Sequence, residues 1–387
     1  MPWKTHTKMS LRAEFVRLAS RPDANISQLC RRFNISRPTG YKWLRRWKQQ
    51  GGEGLVDQSR KPHNPANQTP KWMENLVVKT RNNHQGWGGR KIKRWLADEV
   101  RRGNLDMDVD HIPSASTITS ILDRHNLLDP QGSSTRSRPW KRFEYPRPND
   151  LWQMDFKGEF SLMDDSLCYP LTIIDDHSRY NIALHACFDQ QRTSVQPILT
   201  NCFQRYGLPF AILVDNSNPW GCPIRNEDGR VYHTKLSAWL IRLGITVIHS
   251  TPGKPQGKGK NERFNGTLQA ELIRYNWFSD MNEAQHKFNQ WRDVYNQERP
   301  HEALDMDVPV SRYRCSNVEF QPYLPPIKYG PDDSIRKVSS NGRITFKGSQ
   351  YQIGKAFNGQ PIALRAQPEK NQWKVYFCHQ YIRTITT

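Results

Sequence analysis

Apolar side chains recur at helical intervals along the first fifty residues. Leu11, Phe15 and Leu18 are spaced by three and four residues, which predicts an amphipathic helix. Two further short helices are expected at 27–33 and 37–50, with a tight turn between them. Two short helices joined in this way predict a helix-turn-helix DNA-binding domain over residues 1–52.

The third of these helices is rich in basic side chains. Ser36 is its expected N-cap, and Pro38 occupies the first turn, where a missing N–H is harmless. The expected DNA contacts are Arg37, Thr39, Tyr41, Lys42, Arg45, Arg46 and Lys48. An ordinary three-helix bundle with a solvated basic face is the alternative interpretation.

A second helical pattern follows a polar, Pro-rich linker expected at 53–69. Residues 70–128 predict a second helix-turn-helix or winged-helix-like DNA-binding domain. Its recognition helix would begin with Ser114, Ser116 and Thr117, which are the expected DNA contacts in this domain. A basic, Pro-rich linker is expected at 129–148.

The pattern changes near residue 149, where runs of β-branched and aromatic residues alternate with helical segments. The expected strands are 151–156, 159–162, 169–174, 180–188, 211–214 and 246–249. Helices are expected at 193–206, at 234–243 and from about Lys258. This order predicts a mixed sheet flanked by helices, an α/β catalytic core over 149–313.

The end of this core and the C-terminal region differ again in their pattern. A helical extension is expected up to residue 313, with Trp277 and Phe288 among its buried side chains. From 333 to 387 short strands alternate with turn signals such as Asn341-Gly342 and Asn358-Gly359. This alternation predicts a small β-barrel.

The charge of the chain is uneven. It carries 57 Lys and Arg residues against 37 Asp and Glu residues, a net charge of +20. Residues 1–148 hold 29 basic and 13 acidic residues, so most of the excess lies in the first two predicted domains. Such a surface is typical of a polyanion partner, here double-stranded DNA, although a merely soluble surface is the alternative.

Cysteine usage and hydropathy narrow the class of protein. The seven cysteines are dispersed and form no C-x-x-C pair, which favours reduced thiols and argues against a structural zinc site. The sequence shows no N-terminal apolar signal region and no run of about 18 apolar residues. We therefore expect a cytoplasmic protein of prokaryotic type, associated with the nucleoid.

Three carboxylates lie where a metal-dependent phosphoryl-transfer site requires them. Asp155 falls in a strand-like run, Asp215 ends another, and Glu262 opens a basic helix. The predicted fold would gather all three in one cleft, and carboxylate oxygens are the ligands that Mg²⁺ prefers. Two ions, with Mn²⁺ as a possible substitute for Mg²⁺, would activate the attacking oxygen and stabilise the leaving one.

Other charged residues surround this predicted site. Lys254, Lys258 and Lys260 precede Glu262 and are expected to contact phosphates near the cut. Asp175-Asp176 is interpreted as a structural loop that could lie near the cleft. Taken singly, each carboxylate of the triad is equally compatible with a turn or a helix N-terminus.

Five motifs occur in the order found in one known family. They read WQMDFKG, IIDDHSRY, VDNSNPWG, KPQGKGKNERFNGTL and YNQERPHEAL. With them the chain resembles the DDE insertion-sequence transposases of the branch numbered four-eight-one, whose core is similar to that of retroviral integrases. The resemblance covers nearly the whole chain.

The resemblance implies a ribonuclease H-like core with Asp155, Asp215 and Glu262 as metal ligands. It also implies cleavage of transposon ends, joining of the freed 3′-OH to target DNA, and at least a dimer on paired ends. Two departures concern loop geometry: Ser217 replaces the usual glycine, and 219–231 looks like an insertion. In the tail motif His301 could lie near DNA or serve packing.

Two other functions fit parts of the same pattern. A DNA-binding regulator derived from a transposase with an inactive core would need only the basic N-terminal region. A ribonuclease H-type metal-dependent nuclease would use the same sheet and carboxylates, but two helix-turn-helix domains favour specific DNA ends over RNA–DNA hybrids.

Overall fold

The structure, a computed structural model, describes residues 7–58, 68–128, 144–225, 231–250, 259–368 and 371–387. The chain divides into two compact units, 1–69 and 70–387. None of the described helices combines the length and the apolar character needed to cross a bilayer.

The first unit contains three helices, α1 (Lys8–Ala19), α2 (Ile26–Arg32) and α3 (Arg37–Gln50). Ser36 caps α3 as predicted, because its hydroxyl accepts a hydrogen bond from the Thr39 N–H at 3.3 Å. The buried core consists of Phe15, Val16, Ala19, Cys30, Trp43 and Leu55. Leu55 belongs to a short 3₁₀ turn, Gly51–Leu55, so the start of the predicted linker packs against the helices.

Gly40 allows the three helices to approach closely. A Cβ atom at this position would lie 2.6 Å from Cys30 Sγ and 2.9 Å from Phe15 Cζ. Both neighbours are buried side chains of the other two helices. The glycine therefore sets the distance at which α3 packs on α1 and α2.

The second unit begins with another helical module, α4 (Lys71–Asn83), α5 (Gly89–Arg101) and α6 (Ala115–Arg124). Its buried side chains include Met73, Trp87, Ile92 and Ile118. Residues 68–128 are all described and contain no β-strand, so this helix-turn-helix module has no wing. The segment between α5 and α6 forms turns and one short 3₁₀ helix, and it contains no β-hairpin.

The central region, 149–313, is built on one mixed sheet. Its strands are β1 (Leu151–Phe156), β2 (Phe160–Ser161), β3 (Leu167–Asp175), β4 (Asn181–Cys187) and β5 (Ala211–Val214), followed by β6 (Gly221–Arg225), β7 (Val231–His233) and β8 (Thr246–His249). The order is β4-β3-β1-β5-β8, with β2 beside the start of β3 and β6–β7 forming a separate hairpin. β3 is antiparallel to β1 and β4, whereas β1, β5 and β8 run parallel. The mixed sheet predicted from the sequence pattern is confirmed, and its arrangement is the ribonuclease H-like one that the resemblance implied.

Helices cover both faces of the sheet. α7 (Arg192–Tyr206) and α8 (Lys235–Arg242) pack on the face that carries Trp152 and Met154. α9 (Gly259–Glu271) and α10 (Met281–Gln297) cover the opposite face, where Phe264 and Tyr295 pack against Ile174. The predicted helix order is confirmed, and the β6–β7 hairpin lies in the stretch interpreted as an insertion.

The helical extension differs from its prediction at one tryptophan. Phe288 is fully buried on α10, as expected, but Trp277 is 85% exposed. Trp277 lies between a 3₁₀ turn, Ile273–Tyr275, and the N-cap of α10. It is therefore outside any helix, and helical spacing does not place it on a buried face.

The C-terminal region forms sheets, but not the predicted closed barrel. Its strands are β9 (Ser334–Lys337), β10 (Arg343–Phe346), β11 (Ser349–Gln352), β12 (Pro361–Ala366), β13 (Gln372–Phe377) and β14 (Gln380–Thr386). One antiparallel sheet has the order β14-β13-β12-β9, and β10–β11 is a separate hairpin. Among the described residues β9 and β14 do not pair, and the β10–β11 hairpin contributes Ile344 and Phe346 to the same apolar cluster as the sheet. The prediction of a small β-barrel is thus not confirmed.

Candidate active site and DNA-binding surfaces

The register of two parallel strands brings the first two carboxylates together. β1 pairs with β5 from Leu151 opposite Ala211 to Gln153 opposite Leu213. If this register is continued by two residues, it sets Asp155 opposite Asp215, the residue that directly follows β5. Neighbouring strands lie about 4.8 Å apart, and residues at the same level of a parallel pair point to the same face. Both carboxylates therefore lie at the carboxyl end of the parallel strands.

The third carboxylate is on α9, whose first turn is bonded to the same face of the sheet. Gln153 precedes Asp155 by two residues, so the two side chains share a face. The Gln153 Oε1 atom accepts a hydrogen bond from the backbone N–H of Asn261 at 3.2 Å. Thr172 lies opposite Asp155 in the register of β1 and β3, and its hydroxyl is 3.2 Å from Asn261 Oδ1. Glu262 is the next residue and is exposed.

A buried carboxylate reinforces this contact. Asp176 is fully buried, and its Oδ1 accepts a hydrogen bond from Gln153 Nε2 at 2.8 Å. Its Oδ2 forms an ion pair with Lys260 Nζ in the first turn of α9. Burial lowers the pKa of Lys260, and the positive charge of Arg179 adds to this effect, while Asp176 opposes it. Asp176 is structural, as predicted, and it lies next to the candidate site.

The carboxylate of Asp215 has local partners in the turn that follows β5. Ser217 donates to it twice, from its backbone N–H to Oδ1 at 3.1 Å and from its hydroxyl to Oδ2 at 2.6 Å. The Nδ1 atom of His249 lies 3.1 Å from the backbone oxygen of Asp215. The serine that replaces the usual glycine of the resembled family therefore binds the second carboxylate directly.

The three carboxylates provide the oxygen donors of a magnesium site, but they are not arranged as a complete metal site. Three carboxylates are the hard oxygen donors that Mg²⁺ takes. Within the described ranges, no group of three or more His, Cys, Asp or Glu side chains is arranged to hold a metal ion. Asp155 lies near the end of β1, Asp215 directly follows β5, and the first turn of α9, which carries Glu262, is bonded to Gln153 of β1.

Four residues of this site were not singled out as site residues in the sequence. They are Gln153, Thr172, Asn261 and, as a partner of Lys260, Asp176. The available signal was polarity inside apolar strands: Gln153 lies between Trp152 and Met154, and all three are buried. A buried amide in such a strand needs a hydrogen-bond partner, and here the partner lies on α9.

The predicted DNA contacts on α3 separate into two groups. Arg37, Tyr41, Arg45 and Lys48 are exposed and follow one another at helical spacing on a single face. Lys42 and Arg46 instead lie over the ring of Trp43, at 5.1 and 5.3 Å from its centroid. Thr39 is half-buried, and its hydroxyl bonds the capping Ser36 at 2.8 Å.

The predicted contacts at the start of α6 are engaged with one another. The Ser114 hydroxyl lies 2.8 Å from that of Ser116 and 2.9 Å from that of Thr117. It also accepts a hydrogen bond from the backbone N–H of Thr117 at 3.2 Å, which makes it the N-cap of α6. In this structure these side chains cap the helix, and Ser114 and Ser116 remain exposed.

The lysines before Glu262 are described only in part. Lys254 and Lys258 lie outside the described residues. Lys260 is described, and its charge is already paired with the buried Asp176. Its observed contact is therefore with the protein, where it holds the first turn of α9.

The tail motif serves packing. Arg299 binds both carboxylate oxygens of Glu271, at 2.7 to 3.0 Å. Asn296 exchanges two hydrogen bonds with the backbone of Asn181 at the edge of the sheet, at 2.7 and 3.0 Å. His301 is buried against the ring of Tyr295, so the packing alternative applies to it.

Acidic residues at the end of α9 and in the segment after α10 also bind the second helical module. Lys91 of α5 lies 3.5 Å from Glu271, and Arg94 binds Asp307 at 2.8 Å. Arg90 pairs with Glu302 at the exposed margin of the same contact. Part of the basic excess of residues 70–128 is thus neutralised inside the chain.

Protein-family models match the chain in the order of these domains. Residues 11–63 match a helix-turn-helix domain, and 39–122 a homeodomain-like domain. Residues 145–255 and 243–309 match the integrase core domain, and 333–386 the C-terminal domain of the IS481 family transposases. The central region is therefore an integrase core. The matched domains are those that the resemblance implied, namely helix-turn-helix domains, an integrase core and the C-terminal domain of the IS481 family transposases.

Curated relatives of the chain come from insertion elements and a transposon. An uncharacterized 39.2 kDa protein of insertion element IS476 from Xanthomonas euvesicatoria is 30% identical over 46% of this chain and 50% of its own length. The transposase for transposon Tn552 from Staphylococcus aureus is 25% identical over 93% of this chain and 79% of its own. The chain spans about half the length of the IS476 and IS407 proteins that it matches.

Solved structures show a loose likeness. A simian T-cell lymphotropic virus intasome chain covers 81% of this chain and 99% of its own, with 15% identity and a TM-score of 0.37. The HTLV-2 integrase catalytic core domain in complex with magnesium covers 44% and 99%, with 16% identity and a TM-score of 0.33. These likenesses are too distant to support statements about the chemistry of this chain.

Proposed function

We propose that this protein is a transposase that binds the terminal inverted repeats of a transposon, cleaves the DNA at its ends and joins the 3′-OH ends to target DNA. The observation that carries the proposal is the parallel register of β1 and β5, which, continued by two residues, sets Asp155 opposite Asp215. The helix of Glu262 is bonded to the same face of the sheet through Asn261. The transposase relatives and the integrase-core match support the same function.

The proposed metal ligands are Asp155, Asp215 and Glu262. Two bound Mg²⁺ ions, or Mn²⁺ in their place, would supply charge stabilisation and an activated oxygen nucleophile for phosphoryl transfer. The chain itself supplies three anionic oxygen donors on two neighbouring strands and one helix. Gln153 and Thr172 hold that helix against the sheet and so limit its movement relative to Asp155.

The proposed DNA surface is the exposed face of α3. Arg37, Tyr41, Arg45 and Lys48 offer three cationic groups and one aromatic ring on a single side of the helix. Cationic side chains bind phosphates, and exposed polar groups of such a helix read base edges in the major groove. Partners are accordingly transposon ends and target DNA, and paired ends imply at least a dimer of this chain on the nucleoid.

The test is an end-joining assay with labelled DNA that carries the repeats flanking the gene, a plasmid target, and Mg²⁺ or Mn²⁺. The variants are Asp155→Asn, Asp215→Asn and Glu262→Gln, which keep side-chain shape but remove the charge. Asp165→Asn is the matched control, because Asp165 is an exposed hairpin residue with a φ of 63°, a conformation that asparagine tolerates.

We expect joined product with the wild type and the control, and none with the three site variants. Joining that persists in the site variants would refute the assignment of the ligands. Specific binding of the ends without cleavage in any metal would instead identify a DNA-binding regulator with an inactive core. Hydrolysis without joining would identify a ribonuclease H-type nuclease.

A further inference from the structure

One hydroxyl group touches both the strand of Asp155 and the helix of Glu262. Thr172 is fully buried in β3, directly opposite Asp155. Its Oγ1 atom lies 3.0 Å from the backbone oxygen of Asp155 and 3.2 Å from Oδ1 of Asn261. Since a hydroxyl has a single proton, only one of these two oxygens can accept a full hydrogen bond from Thr172, and the group is in contact with both.

Asn261 receives this contact at the start of α9. Its side chain is fully buried, and its backbone N–H donates to Gln153 Oε1 at 3.2 Å. The first N–H groups of a helix have no partner within the helix, so Gln153 satisfies one of them. The first turn of α9 is therefore bonded to β1 and β3 one residue before Glu262.

Packing alone does not explain a hydroxyl at this position. The neighbours of Thr172 along the strand, Leu171 and Ile173, are fully buried apolar residues. A valine would fill the same volume in this sheet without a polar atom. The hydroxyl instead lies within hydrogen-bond distance of two oxygens that belong to different elements of the candidate site.

We propose that Thr172 and Asn261 are positioning residues that set the separation between Asp155 and Glu262 and thereby the affinity of the site for its metal. This inference rests on the proposed function, because it takes these two carboxylates as metal ligands. Groups that orient metal ligands from outside typically change metal affinity by about 10- to 100-fold when they are removed.

The experiment measures Mn²⁺ binding to the full-length protein by water-proton relaxation, which also detects weak sites, together with thermal melting of each variant. Thr172→Val removes the hydroxyl and keeps the shape, whereas Thr172→Ser keeps the hydroxyl. Thr80→Val is the control for loss of a buried hydroxyl elsewhere, because Thr80 is buried in α4 and donates to the Leu76 carbonyl at 2.8 Å.

We expect the Kd for Mn²⁺ to rise by about 10- to 100-fold in Thr172→Val and to stay near the wild-type value in Thr172→Ser and Thr80→Val. The two valine variants should lose similar amounts of thermal stability. A selective loss of metal affinity then separates positioning from a general structural role.

Asp155→Asn and Glu262→Gln complete the experiment. Wild-type Mn²⁺ affinity in both, or absence of Mn²⁺ binding in the wild type, would overturn the proposed function together with this inference. Loss of binding in both, but wild-type affinity in Thr172→Val, would overturn only the positioning role. Weak binding in Thr172→Ser equal to that in Thr172→Val would show that the hydroxyl is not responsible.

Discussion

The ion cluster at Glu271 yields the sharpest stability prediction. The Glu271 side chain is 6% exposed and binds Arg299, whose side chain is 8% exposed, through both carboxylate oxygens. Lys91 of α5 adds a second cation 3.5 Å from the same carboxylate, and its side chain is 19% exposed. One buried anion thus compensates two cations that belong to different parts of the chain.

The perturbation is Glu271→Gln, which keeps the shape of the side chain and removes its charge. Arg299 and Lys91 would then share a neutral amide, and removal of one partner from a buried ion pair costs about 3–5 kcal/mol. Unfolding entropy is about 2.1 cal/mol/K per residue, so the second unit of roughly 300 residues gives an expected fall in Tm of about 5–8 °C.

Glu302→Gln is the matched control for this change. Glu302 also pairs with an arginine of α5, Arg90, but both side chains are largely exposed. Exposed pairs contribute about 0–1 kcal/mol, so this variant should melt close to the wild type. The assay is thermal unfolding of the full-length variants followed by circular dichroism and tryptophan fluorescence.

A second substitution checks the physical cause. In the Glu271→Gln background, Lys91→Met removes one of the two uncompensated cations and should increase stability by more than the same substitution does in the wild type. The two changes would then be non-additive, as expected for groups in direct contact. A Glu271→Gln variant that melts with the Glu302→Gln control would refute the reasoning that buried charge dominates here.

Three further predictions concern pH, metal binding and DNA binding. Burial lowers the pKa of Lys91 to about 8, and the positive charge of Arg299 adds to this effect. The protonated form of Lys91 is therefore less favourable in the folded state than in the unfolded state. The free energy of unfolding thus rises as pH increases from about 8 to 10.5. Lys91→Met should therefore be more stable than the wild type at pH 7, by on the order of 1–3 kcal/mol, with a difference that vanishes above pH 10.5 in denaturant titrations. Ser217→Gly removes the hydroxyl that binds Asp215 Oδ2 and would otherwise compete with a metal ion for this oxygen. A hydrogen bond to a charged group contributes about 1.5 kcal/mol, so the variant should bind Mn²⁺ up to about tenfold more tightly. An unchanged Kd would contradict this competition. Arg45→Ala should weaken DNA binding and reduce the slope of log affinity against log salt concentration by about 1. The control is Arg17→Ala, at an exposed side chain of α1, which should leave the slope unchanged. Equal slopes in the two variants would contradict the assignment of α3 to the DNA surface.

Local patterns in the sequence determined much of this protein. Helical spacing of apolar residues located α1 and α3, and the cap at Ser36 is where the sequence places it. Runs of β-branched residues located β1, β3 and β5 within a few residues. These features depend on hydrogen bonds and side-chain faces within one segment, which the sequence of that segment encodes.

The sequence also contained the carboxylates of the candidate site, but not their arrangement. Asp155 and Asp215 were recognised from their positions in and after strands, whereas their common level follows from the register of β1 and β5. Register depends on how whole strands pack against the helices that cover them, and a shift of one residue would turn each side chain to the other face.

Only the tertiary structure decided which polar groups meet. Lys260 binds Asp176 instead of facing solvent, and Thr172 bonds a residue 89 positions away on α9. Trp277 is exposed and the C-terminal sheet remains open, although the local patterns predicted otherwise. Each of these outcomes depends on contacts between segments that are distant in sequence, because burial and hydrogen bonding are satisfied by the folded molecule as a whole and not by any one segment.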